Sequence, residues 1–315
     1  MSVTLLTKDE LLSALNGEQI GHADCIFNDV QTDSRNVSSE KKCMFVPLVG
    51  EFQNGHKFIP DVLVKKASVI ILNKSEYKKD KDVYEKMAGE NPDVCFICVE
   101  NTLTALQNAA EAYVNKVAKS MIRVSITGSS GKTTTKEMMV AVCKAYFGDE
   151  NVAYTKGNFN SETGLPLSVF KIRGDEKIGI FEMGMNRVNE IGEISKVWKS
   201  QYGIITNIGT AHIGILGSRE NIAKEKRKSF DYIPSNGAAF VCSSDSYGDF
   251  CCENVNGKKI KYGPDVDEKI SGVKFLEDKG LFGCCFSIDG LKVQLSLSGL
   301  YNYINALAVI ACAKE

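Results

Sequence analysis

The stretch ITGSSGKTTTKEMM, residues 126–139, sets two glycines, a lysine and a run of three threonines between an apolar run and a helical pattern. A strand feeding GSSGKTT and then a helix would surround an anion with the backbone N–H groups of Gly128, Ser129, Ser130, Gly131 and Thr134 and with the positive end of a helix dipole. Lys132 would reach the outer phosphates of a nucleotide, and Thr133 would offer its hydroxyl to Mg2+. The general phosphate-loop pattern wants a glycine five positions before Gly131, where Ile126 stands. The alternative is a Gly-Ser turn before a Thr-rich helix start; the order of strand, loop and helix favours the phosphate reading. Phosphate binding alone leaves a kinase, a GTPase and a ligase open.

Later residues extend the chemistry. Glu182, in FEMGMNR after the apolar KIGIF, falls at the C-terminal end of an expected parallel strand, where ligands collect in open α/β sheets. It would hold Mg2+ beside Thr133 or cap a helix. His212, one of three histidines, follows the strand-like YGIITNIG in the same way; a neutral imidazole there binds metal or serves the core. Lys226 lies in a basic run with Lys224, Arg227 and Lys228 and reads, from the residues alone, as a solvated charge. Asn158, Asn160 and Ser161, in TKGNFNSETGLPLSVF, suit phosphate or sugar recognition and equally suit plain turn chemistry.

These residues need elements to hold them. TKDELLSAL and HKFIPDVLVKKA read as helices, and ADCIFNDVQTDSR, KKCMFVPL, ASVIILN and VCFICVE as strands, giving a small α/β unit over residues 1–100, after which the helix TLTALQNAAEAYVNKVA opens the second domain. Residues 101–315 then alternate strands (MIRVSIT, KIGIFEM, YGIITNIG) with helices, which argues a mostly parallel, doubly covered sheet. From GAAFVCSS onward the strands shorten and read as antiparallel, with Asp289-Gly290 a hairpin turn. The fold class is therefore α/β, with a small N-terminal domain and a central phosphate-loop domain. The last helix, YNYINALAVIACAKE, carries no Gly or Pro terminator.

Composition narrows the partners. With 38 Lys+Arg against 39 Asp+Glu the formal net charge is -1, so no basic footprint points to nucleic acid. The N-terminus has no long apolar stretch, and a cytoplasmic protein without membrane insertion is expected. The 11 cysteines are odd in number and include adjacent pairs at Cys251-Cys252 and Cys284-Cys285, so reduced thiols are expected. Cys95 and Cys98 form a CxxC inside an apolar run that reads as a buried strand.

Taken in order, DSR at 33–35, FQNGHKF at 52–58, TGSSGKTTTKEM, GNFNSETGLPLS, FEMGMNRVNEIGEI, TNIGTAHIGILGSRENI and NYINALA resemble the Mur ligases, ATP-dependent amide-forming enzymes of peptidoglycan precursor synthesis. GKTTTKEM, EMGMNR and the stretch from His212 to Ile222 are most similar to the family member that joins D-alanyl-D-alanine to UDP-N-acetylmuramoyl-tripeptide. The resemblance implies a first domain that holds the UDP-sugar, a central ATPase domain and a C-terminal domain for the incoming amine. The last of these is not represented in this chain, which alone is expected to be weak or inactive. By the same resemblance, Lys132 binds ATP phosphates, Thr133 and Glu182 hold one Mg2+, and His212 takes part in binding a second. Lys226 matches a lysine that is carbamylated in several members, and Asn302 and Asn305 would lie near adenine. Ser34 and Arg35 fall where the family contacts the uridine nucleotide, and Asn158, Asn160 and Ser161 where it contacts the muramoyl phosphates. Three positions depart from the pattern: Asn54 and Gly214 stand where acids are common, and Lys228 where a glutamate is common.

The implied reaction moves the γ-phosphoryl of ATP to the substrate's terminal carboxylate, and the dipeptide's amine attacks the acyl phosphate. Lys132 and Mg2+ would offset the crowded charge. A monomer is expected. The competing readings are a related ligase that adds a single amino acid, a phosphate-loop kinase, and a non-catalytic nucleotide-binding scaffold.

Overall fold

The computed structural model describes residues 4–50 and 53–315; Phe52 of the FQNGHKF stretch and the first three residues lie outside that range. The chain divides into two compact units, Met1–Lys119 with Pro166–Ile172, and Ser120–Leu165 with Arg173–Glu315. The helix Thr102–Val117, placed by the sequence reading at the head of the second domain, belongs to the first unit. It packs on the helix Lys8–Leu15, because its buried Ala105, Leu106, Ala109 and Tyr113 recur at helical spacing and form an apolar face.

The first unit is a five-stranded sheet in the order β1-β5-β4-β3-β2, with β1 (Glu18–Ile20) antiparallel to β5 and β2 (Asp29–Gln31), β3 (Cys43–Phe45), β4 (Val69–Asn73) and β5 (Cys95–Val99) parallel. β4 and β5 are buried at every residue, which is why they read as unbroken apolar runs. Reduced cysteines throughout were expected; instead Cys25 and Cys95 are joined as a disulfide, 70 residues apart in sequence with Cα atoms 5.4 Å apart. Sequence spacing carries no sign of that pairing. Cys98, three residues along the same strand, points to the opposite face and is free and buried, so the CxxC does not close on itself.

Two polar clusters tie this unit together. Asp29, 3% exposed, accepts from Gln31 at 2.8 Å and pairs with Lys171. Burial opposes its ionisation, but these hydrogen bonds and the ammoniums of Lys171 and Lys41 hold the carboxyl below its ordinary value. Tyr113 donates its hydroxyl to the Ile172 carbonyl at 2.6 Å. In the other cluster the Asn73 N–H donates to His56 Nε2 at 2.9 Å, which makes the ring a neutral Nδ1–H tautomer donating to Asn54 Oδ1 at 2.8 Å. Asn54 in turn donates Nδ2 to Glu76 at 2.6 Å. An aspartate at 54 would face that carboxylate with a second negative charge, which rationalises the amide at this position.

The second unit holds six parallel strands in the order β11-β10-β9-β6-β8-β7: β6 (Ile122–Thr127), β7 (Val152–Tyr154), β8 (Ile178–Glu182), β9 (Tyr202–Ile205), β10 (Ala238–Cys242) and β11 (Lys258–Tyr262). This corrects the antiparallel expectation from GAAFVCSS onward, since β10 and β11 continue the parallel sheet. Antiparallel pairing begins with β12 (Val273–Asp278), β13 (Cys284–Ile288) and β14 (Leu291–Leu295). The last two are joined at Asp289 and Gly290, both at positive φ (48° and 86°), the geometry of a tight right-twisted hairpin.

On one side of the parallel sheet Val124, Ile126, Ile180 and Ile204 form a core with Met139, Val140 and Cys143 of the helix Lys132–Phe147 and Leu307, Val309 and Cys312 of the helix Leu300–Ala313. Trp198 is fully buried, with its ring 4.1 Å from that of Phe181 and its indole N–H donated to the Val124 carbonyl at 3.1 Å. Gly179 makes room for it, because a Cβ there would lie 2.5 Å from the indole. Trp198→Ala is expected to lower unfolding stability by about 3–5 kcal/mol, read as a shifted midpoint in urea denaturation.

Candidate functional site

Chain order along the parallel sheet reverses around β6, whose neighbours are β8 on one side and β9 on the other. The C-terminal ends of these three strands therefore open a crevice at the switch point. From β6 comes the glycine loop, from β8 Glu182, and from β9 Thr206 and Asn207.

The loop is held by its carbonyls. Gly128 O accepts from Lys132 Nζ at 3.0 Å and from Lys226 Nζ at 2.9 Å. Ser130 O accepts from Thr206 Oγ1 at 2.6 Å and Asn207 Nδ2 at 3.0 Å. The amides of Ser129 and Ser130, expected to face phosphate, are donated instead to the Asn207 carbonyl at 3.0 Å and its Oδ1 at 3.2 Å. The amides left for an anion are those of Gly131, Lys132, Thr133 and Thr134, which open the helix Lys132–Phe147 and have no intrahelical partner. Gly128 and Gly131 are obligatory: both have positive φ (150° and 80°), and a Cβ would lie 1.8 Å from Thr206 Oγ1 and 2.7 Å from Asn305 Oδ1 respectively.

Glu182 is 1% exposed and accepts from Thr133 Oγ1 at 2.9 Å through one carboxylate oxygen and from Asn160 Nδ2 at 2.7 Å through the other. Asn158 and Ser161 share its loop, which is tied down by Arg187 bridging Glu162 and Glu193. Among the described residues no three His, Cys, Asp or Glu side chains form a metal cage. A hydroxyl and one carboxylate converging beside an anion-facing helix end nevertheless fit Mg2+, which keeps several waters and takes its remaining ligands from phosphate oxygens.

Lys226 reads as solvated from its neighbours in sequence, yet it is 1% exposed. Burial, with the Lys132 ammonium second, pushes its pKa down to about 7, against the opposing charge of Glu225. Lys132 is pushed down by burial and partly restored by Glu182. His212, at φ 67°, is lowered by burial and then by Lys226 and Lys132, with Glu190 opposing, so the imidazole is biased toward its neutral form in the field of the same groups. Lys228, found where a glutamate is common, donates to Glu225 at 2.7 Å and Asn189 at 3.0 Å, and Gly214 lies exposed in the short helix Ile213–Leu216.

Beside the loop lies a cavity of about 560 Å³ whose lining includes Gly131, Thr134, Arg219, Asp245, Asn302 and Asn305. Asn302 and Asn305 are three apart, one turn of helix, and so reach it from one face. Ser34 and Arg35 lie in the first unit on a short turn, where Arg35 is paired with Asp33 at 2.6 Å and the Ser34 carbonyl accepts from Lys65 at 2.7 Å. Sequence reasoning missed Thr206, Asn207, Arg219 and Asp245. The signal for the first two was their place directly after β9, used there only to reach His212.

A parallel sheet with a glycine loop and helix start at its switch point is the architecture of phosphate-loop α/β proteins. The Mur ligase middle domain model matches residues 126–313, and the chain belongs to the Mur ligase family. It is 37% identical over 99% of its length to a UDP-N-acetylmuramoyl-tripeptide–D-alanyl-D-alanine ligase of Treponema pallidum. It superposes with a TM-score of 0.79 and 25% identity, over its full length, on the crystal structure of MurF from Acinetobacter baumannii. MurF ligase from Thermotoga maritima, solved in complex with ADP, shares the fold at a TM-score of 0.72, 24% identity and 91% coverage. The chain spans 65%, 66% and 62% of these three proteins' own lengths.

Proposed function

We propose that this chain is the nucleotide- and UDP-sugar-binding part of a cytoplasmic, monomeric ATP-dependent ligase that joins D-alanyl-D-alanine to UDP-N-acetylmuramoyl-tripeptide. The observation that carries the reading is the convergence of Lys132, Thr133 and Glu182 at a glycine loop on the switch point. The names of the relatives supply the substrates, and the Thermotoga protein's complex with ADP supports an adenine nucleotide as the ligand.

In this reading the amides of Gly131 to Thr134 and the Lys132 ammonium bind and orient the triphosphate, and Asn302 and Asn305 border the cavity that takes the adenosine end. Thr133 and Glu182 would hold Mg2+, with His212 and a carbamylated Lys226 at a second such ion. Mg2+, when bound, supplies positive charge that offsets the negative charge accumulating as phosphoryl is transferred. Ser34 and Arg35 contact the uridine nucleotide, and Asn158, Asn160 and Ser161 the muramoyl phosphates.

The test is isotope-traced amide formation by the longest natural form of the protein, supplied with ATP, UDP-N-acetylmuramoyl-tripeptide and either D-alanyl-D-alanine or single amino acids. ATP-dependent incorporation of the dipeptide is expected. Incorporation of a single amino acid alone would reassign the substrate, and no ligation at all would leave a nucleotide-binding scaffold.

A further inference from the structure

Lys136 is the one buried lysine of the phosphate-loop helix that the reading above leaves without a task. It is 1% exposed, one turn beyond Thr133 on the same helix face. Its Nζ donates to the Thr155 carbonyl at 3.0 Å and pairs with Glu137 at 2.6 Å. Thr155, fully buried just past the end of β7, donates its N–H to the Ile180 carbonyl at 3.1 Å. Its Oγ1 accepts the N–H of Glu182 at 3.0 Å. An ammonium in this position is costly where an apolar side chain of the same length would fill the space, so packing alone does not account for it.

We infer that Lys136 is a positioning residue for the cation site: by fixing the Thr155 backbone it sets the hydroxyl that holds Glu182, whose carboxylate faces Thr133 and Asn160. The chain runs ammonium, Thr155 carbonyl, Thr155 hydroxyl, Glu182 N–H: two hydrogen bonds of 3.0 Å joined through the covalent frame of Thr155. Partners of this kind, which act on a ligand rather than on the ion, set metal affinity. The inference rests on the proposed nucleotide and Mg2+ site.

The experiment titrates Mg2+ into this chain with ATP present and reads bound nucleotide by calorimetry, with a parallel ATP titration in EDTA and a thermal melt. Lys136→Met and Thr155→Val are each expected to raise the Mg2+ concentration for half-maximal binding by roughly tenfold, with the affinity in EDTA unchanged. The double variant should be no worse than either single one, because both cut the same chain of contacts. Lys136→Arg should recover part of the loss. Equal weakening with and without Mg2+ would mean a merely structural lysine and would overturn the inference, as would wild-type behaviour of both variants. Should Lys136→Met fail to fold, Thr155→Val carries the same test by removing one hydroxyl. Glu182→Gln separates the two readings: if neither wild type nor this variant responds to Mg2+, the site itself is wrongly read. If wild type responds and Glu182→Gln does not, while Lys136→Met and Thr155→Val match wild type, this inference alone fails.

Discussion

Lys132→Ala is expected to lower ATP-dependent ligation by about three orders of magnitude, measured as ADP release under saturating substrates in the longest natural form of the protein. The ammonium sits at the start of the helix whose first amides face the anion, and among the described residues its hydrogen bond is to the Gly128 carbonyl at 3.0 Å. An incoming triphosphate can therefore draw it away at small cost. The substitution has a second consequence, because Lys132 is one of the two main causes that depress Lys226. Without it, Lys226 moves back toward its ordinary pKa and is more fully charged at neutral pH. Lys132→Arg keeps a charge but not the compact point donor, and is expected to recover little. Turnover within about tenfold of wild type would show that phosphate charge is handled elsewhere.

Lys226→Met should make the protein more stable at low pH while reducing ligation by about a hundredfold. The sign follows from linkage. In the unfolded chain the group titrates near 10.5, and in the folded chain at about 7. Between those values the unfolded state binds more protons, so wild-type stability rises with pH across the window. Below about 7 both states are protonated, and the full penalty of a buried ammonium is present. Methionine removes that penalty, so the gain, on the order of 5 kcal/mol at most, is largest below neutrality and fades toward the upper end. Denaturant melts at several pH values check it; parallel curves for variant and wild type would refute the depressed pKa. The functional loss follows from what the amine can do. With a pKa of about 7 roughly half of it is neutral at pH 7, and a neutral amine adds to CO2 through a new N–C bond with loss of one proton. The resulting carbamate is anionic and can ligate a hard cation. A labelled carbamate signal from wild type, absent in the methionine variant, is the accompanying observation.

The residues explain which parts of this arrangement could be read in advance. The glycine loop and Glu182 announced themselves because each follows an apolar run long enough to be a buried strand, β6 and β8. Lys226 was opaque: its sequence neighbours are charged, and it is the packing of its helix against neighbouring elements, with the Gly128 carbonyl over Nζ, that makes this face an interior one. Asn207 was hidden for a related reason, since an asparagine after a strand is ordinary turn chemistry until the loop it pins lies opposite. β11 was not legible as a parallel strand because KKIKY carries three lysines, two of them adjacent, along an exposed sheet edge. β1 and β7 were too short to show a period at all. Family resemblance placed Ser34, Arg35, Asn302 and Asn305, which no spacing rule would have selected.

The seven residues Pro166–Ile172, which lie with the first unit, carry a consequence for biosynthesis. Lys171 is the partner of the buried Asp29 carboxylate, and the Ile172 carbonyl takes the Tyr113 hydroxyl. Both partners leave the ribosome more than fifty residues after Lys119 has been made. Until then a nascent N-terminal sheet must either keep Asp29 wet or bury its charge without the Lys171 ammonium. That disfavours closure of the first unit before residues 166–172 have been made.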